Sequence, residues 1–76
     1  MEQVEFGATL RERREGKGLT QEQLASQADL STRYIQSLEA NEKSPSMETL
    51  FKIARALNTS PGPLVDPAWR AWKTGR

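Results

Sequence analysis

Seventy-six residues, 36% hydrophobic and 28% charged, suit one small globular domain with a modest core and exclude a disordered composition. With neither cysteine nor histidine the chain has no disulfide, no thiolate metal site and no imidazole base, and no apolar run nears the ~18 residues of a membrane span. Net charge is only +1, but residues 1–30 hold four basic and six acidic side chains against seven and four in residues 31–76, so one face can attract phosphates.

Helix signals then follow one another. The N-terminal "MEQVEFGATL" is not a signal peptide, which suits a cytoplasmic protein. Phe6, Leu10 and Arg14 fall at i, i+4 and i+8 on one helical face, and "GKG" at 16–18 stops that helix with Gly18 as a left-handed cap. Thr20 opens a second helix, and Gln23 three residues later makes "TQEQ" a capping box. Leu24, Ala25 and Ala28 form its buried stripe. "ADLS" breaks the pattern, and Ser31 caps a third helix with Ile35 and Leu38 inward. After the polar loop "ANEKSP", Ser46 caps a fourth helix whose first turn holds Glu48. Its apolar set is Met47, Leu50, Phe51, Ile53, Ala54 and Leu57. "NTSPG" ends it. Ser60-Pro61 starts a short fifth helix with Leu64 and Val65, and Asp66-Pro67 repeats that start signal before "AWRAW". No strand-like alternation or internal repeat is present.

Two short helices joined by three or four residues are a helix-turn-helix candidate. Counting from Gln21, the fifth residue is Ala25, small enough for the two helix axes to approach closely. The ninth is Asp29, followed by Leu30. Ile35 and Leu38 then pin the second helix on the first. Leu10, Arg14, "GLTQEQLA", "Y-I-x-x-L-E", "PSMETL" and "KIARALN" together resemble the phage Cro and repressor-type (XRE-like) helix-turn-helix DNA-binding family, over about residues 6 to 65. The resemblance implies an all-α fold, a five-helix lambda-repressor-like DNA-binding domain over residues 1–65 with a short helical extension over 66–76. It further implies a third helix that enters the DNA major groove, and a two-fold dimer on a palindromic operator. The family usually has Gly where Asp29 stands. Asp in the left-handed turn costs roughly 1 kcal/mol, which a hydrogen bond from its carboxylate can offset.

At about 100° per residue, Thr32, Arg33, Gln36 and Ser37 lie opposite Ile35 and Leu38, away from the core. An ordinary solvated face would mix Lys, Glu and Gln. This stripe keeps carboxylates off its middle, and the turn pattern ahead of it favours base reading. Arg33 can grip guanine O6 and N7, Gln36 or Gln21 can pair with adenine N6 and N7, and the Thr32 methyl can touch thymine. Phosphate contacts are expected beside the stripe. Thr20 and Ser31 sit at helix N-termini that suit an anion, although both are caps in any case. Tyr34 can offer its hydroxyl from the side, and Asn41, Lys43 and Ser44 match family positions that touch the DNA backbone. The resemblance also pairs Arg14 with Glu39 as a structural ion pair. Trp69 and Trp72 share a helical face; they either close the bottom of the core or join Leu64 and Val65 in a dimer contact.

The expected function is therefore a sequence-specific DNA-binding transcription regulator, a homodimeric repressor whose partner is double-stranded DNA. No cofactor, metal, membrane or small-molecule ligand is expected. The alternative is a protein-interaction module that kept the fold and lost DNA reading, which the low net charge favours and Arg33 with its flanking glutamines opposes. An enzyme fits poorly, since Glu12, Glu15 and Glu22 lie where solvated helix surfaces would be, and no phosphate-binding glycine loop exists.

Overall fold

The computed structural model describes residues 5–74, which form five helices. They are α1 (Gly7–Gly16), α2 (Gln21–Ala28), α3 (Thr32–Glu39), α4 (Met47–Ala56) and α5 (Pro61–Thr74). Three of the starts are set by local side-chain chemistry. Thr20 Oγ1 accepts the Gln23 N–H at 3.0 Å while Gln23 Oε1 accepts the Thr20 N–H at 2.9 Å, a complete capping box. Ser31 Oγ accepts from Tyr34 N–H at 3.0 Å, and Ser46 Oγ from Thr49 N–H at 3.1 Å. Each such cap contributes about 1 kcal/mol.

The ends of α1 to α4 share one device. Gly18, Asp29, Asn41 and Asn58 all have positive φ, between 56° and 71°. After each, the next N–H reaches back five residues, from Leu19 to Arg14 O, Leu30 to Ala25 O, Glu42 to Ser37 O and Thr59 to Ala54 O. This is the Schellman closure, which satisfies carbonyls that the helix leaves free. The Asp29 turn is thus closed by backbone groups rather than by its carboxylate.

Leu10, Leu24, Ile35, Leu38, Ile53, Leu57 and Leu64 are fully buried and form the centre of the core. Around it α2 packs on α3 and α4, α1 on α3 and α5, and α4 on α5. Along α4 only part of the expected apolar set turns inward. Leu50, Ile53, Ala54 and Leu57 are buried, whereas Met47 is 68% and Phe51 52% exposed. The four buried residues already span an arc of about 100° on the helix, and Met47 and Phe51 stand at its edge.

The C-terminal region also differs from the sequence reading. Instead of two short pieces, α5 runs unbroken from Pro61 to Thr74 with Pro67 inside it, so the 65/66 division falls within one helix. Pro67 has no N–H to give the Pro63 carbonyl. Burial of Leu64 and Ala68, one turn apart on the same face, holds the two halves in line.

Candidate nucleic-acid interface

Asp29 and Leu30 turn the chain from α2 into α3. Ile35 and Leu38, both 0% exposed, seat α3 on the core. The opposite side of α3 is therefore presented outward. Arg33 and Gln36 are exposed there, with Thr32 and Ser37 half-buried beside them. Arg33, Gln36, Ser37, Ala40 and Glu42 line one open groove, and no carboxylate stands among Thr32, Arg33, Gln36 and Ser37. Long polar side chains on a seated helix can meet base edges, and a central carboxylate would meet phosphate repulsion.

Beneath this surface lies a polar network. Arg14 Nε donates to Glu39 Oε2 at 2.6 Å and Nη2 to Glu39 Oε1 at 3.1 Å, while Nη1 donates to the Leu19 carbonyl at 2.8 Å. Arg14 is buried, and the Glu39 side chain is 6% exposed. The hydrogen bond to Glu39 raises the Arg14 pKa above its ordinary value, against an opposing effect of burial. Gln21 joins the same carboxylate, with Nε2 donating to Glu39 Oε1 at 3.0 Å. The sequence offers Gln21 as a base contact and, with Thr20, as part of a helix N-terminus that suits an anion. Here its amide nitrogen is held by Glu39 at the end of α3.

The residues expected at phosphates fall in different surroundings. Thr20 and Ser31 are exposed at the starts of α2 and α3, their hydroxyls accepting the cap bonds. Tyr34 is half-buried, and the exposed Lys43 places Nζ 5.8 Å from its ring centroid. Ser44 borders a different surface, an apolar groove that also includes Phe6, Met47 and Trp69. The Asn41 side chain turns inward to α1: Oδ1 accepts from Phe6 N–H at 3.1 Å and Gly7 N–H at 2.8 Å. That contact spans 35 residues, beyond any local pattern. A glycine opening a helix was the one available hint, because a Cβ on Gly7 would stand 2.7 Å from the Leu38 carbonyl oxygen.

On α5 the dimer candidates separate. Leu64 is 0% exposed and inside the core, so it is not available to a partner. The reason is geometric: Leu64 shares the buried face with Ala68, while Trp69 lies on the next stripe. Val65 is half-buried. Trp69 and Trp72 are 52% and 45% exposed and stack with ring centroids 5.9 Å apart, so they do not close the core. Met47, also exposed, lines a groove with both tryptophans. Among the described residues, no cluster of three or more acidic side chains is placed to hold a metal ion, and no helix is long and apolar enough to cross a membrane.

This arrangement has counterparts. The helix-turn-helix family pattern matches residues 10–64. An uncharacterised HTH-type transcriptional regulator of Sinorhizobium fredii, y4dJ, is 38% identical over 61 residues, covering 80% of this chain and 79% of the relative. The crystal structure of the restriction-modification controller protein C.AhdI from Aeromonas hydrophila is similar at TM-score 0.77 and 39% identity, over 80% of this chain and 92% of that one. The clp gene regulator ClgR from Corynebacterium glutamicum is similar at TM-score 0.82 and 30% identity, over 95% and 77% of the two chains. By matched length, identity and fold alike, the chain belongs to the helix-turn-helix family of DNA-binding transcription regulators.

Proposed function

We propose that this regulator acts in the cytoplasm as a homodimeric repressor that binds a palindromic operator with α3 in the major groove. One observation carries the reading: Ile35 and Leu38 anchor α3 at 0% exposure while Arg33 and Gln36 stand free on its far side. In this role Arg33 reads guanine, Gln36 and Gln21 read adenine, and Thr32 and Ser37 make the short contacts between them. Thr20, Ser31, Tyr34, Lys43 and Ser44 bind the flanking phosphates, which supplies affinity through counterion release. A second copy covers Trp69 and Trp72, together with Val65 and Met47. Aromatic and Met side chains exposed in one area are the composition of an interface centre. The likeness to the restriction-modification controller protein C.AhdI supports a regulator of this kind.

Selection of bound sequences from a random duplex pool tests this. The expected product is an inverted repeat whose half-sites are centred about one helical turn apart, roughly 34 Å. A pool with no consensus, bound without a steep salt dependence, would favour the protein-interaction alternative instead.

A further inference from the structure

Asn41 is used by the fold in a way that DNA contact does not explain. It follows α3 in the left-handed region, φ 59°, where glycine is the less strained residue. The helix it serves is a different one. α1 has Phe6 at its N-cap position, with no side-chain cap of its own. Its first free N–H groups, on Phe6 and Gly7, are met by Asn41 Oδ1. Gly7 permits this, because the α1 backbone there lies directly against the Leu38 and Glu39 carbonyls. At the other end of α1, Arg14 grips Glu39. Both ends of α1 are therefore tied to the C-terminal end of α3, one through the neutral amide of Asn41 just beyond its cap and one through the ion pair with Glu39.

We propose that Asn41 is a positioning residue for base reading: by joining the end of α3 to the start of α1 it sets the tilt at which Arg33 and Gln36 are presented, rather than binding phosphate. This rests on the operator-binding function above. An eight-residue helix is only about 12 Å long, so a displacement at its end reaches Gln36 within about one turn. Bidentate base contacts tolerate displacements of only about 0.5 Å.

Asn41→Gly and Asn41→Asp, made in the full chain, separate the roles. Glycine suits the left-handed backbone and removes the oxygen. Aspartate keeps the oxygen against the positive end of α1, and replaces the amide donor with a charge that phosphates repel. Affinities for the selected duplex and for a scrambled one are compared at one salt concentration, below the melting temperature of every variant. Amide hydrogen exchange is read at Phe6 and Gly7. N41G is expected to lose protection at both amides and to lower the specific-to-scrambled ratio about tenfold, the worth of one base contact, with scrambled-duplex affinity unchanged. N41D is expected to keep protection and ratio while both affinities fall together. An N41G that loses affinity equally on both duplexes, as a phosphate contact would, overturns the proposal, as does an unchanged ratio. A parent chain with no duplex preference sinks the operator-binding reading itself, whereas a discriminating parent and an equally discriminating N41G sink this one alone.

Discussion

Arg14 and Arg33 carry the same guanidinium into opposite circumstances. Arg14 is buried and forked onto Glu39, so its charge belongs to the fold. Removing it leaves the Glu39 carboxylate, at 6% side-chain exposure, with Gln21 alone. Arg14→Ala is expected to cost about 3 kcal/mol of stability and to lower the melting temperature, with DNA affinity falling only through loss of folded protein. A variant that melts like the parent contradicts this. The raised Arg14 pKa favours the charged form in the fold. Its stabilisation is thus complete below the ordinary arginine value and lost only as pH rises through the folded value. No part of the neutral range changes this contribution. Arg33 is exposed and held by no ion pair among the described residues. Arg33→Ala should leave the melting temperature alone and cost about 1–3 kcal/mol of operator affinity, relaxing one base position in a repeated selection. Uniform loss across all sequences would instead make Arg33 a phosphate contact.

At the scale of elements, two glycines in α1 look alike in sequence and differ in surroundings. A Cβ on Gly7 would press on the Leu38 and Glu39 backbone, while one on Gly16 would meet nothing within 4 Å. Gly7→Ala is expected to destabilise by about 1–3 kcal/mol as overpacking. Gly16→Ala should be neutral or stabilise by up to about 1 kcal/mol, since a helical Ala loses less chain entropy. Urea unfolding of both variants checks the pair, and equal midpoints would refute the close approach of α1 to α3. The contrast also shows what the sequence could reveal. Thr20, Ser31 and Ser46 announce their helices because cap and partner lie three residues apart. The Asn41 cap has its partners 34 and 35 residues away, and α5 continues through Pro67 because tertiary burial of Ala68 outweighs a local breaker. The exposure of Met47 and Phe51 was hidden for a similar reason: an apolar residue at the edge of a helical stripe reads like one in its middle.

For the whole molecule, the core and the outward face of α3 form one structure. Burial of Ile35 and Leu38 is what turns Arg33 and Gln36 outward, so the outward stripe was legible from helical periodicity as soon as the inward one was. The α5 surface was less legible, since nothing in "AWRAW" distinguishes a core tryptophan from an interface one. With both tryptophans about half exposed, the double variant Trp69→Ser, Trp72→Ser should sediment as a monomer at concentrations where the parent is dimeric, with its helix content intact. A variant that remains dimeric places the interface elsewhere. The central claim, that α3 reads bases in the major groove, is tested most directly by replacing guanine with 7-deazaguanine at the position that Arg33 is expected to contact. The substitution removes one major-groove acceptor and leaves Watson–Crick pairing intact. The parent should lose affinity for the altered duplex, and Arg33→Ala should bind altered and unaltered duplexes equally. Equal losses for the two proteins, or none for the parent, would contradict it.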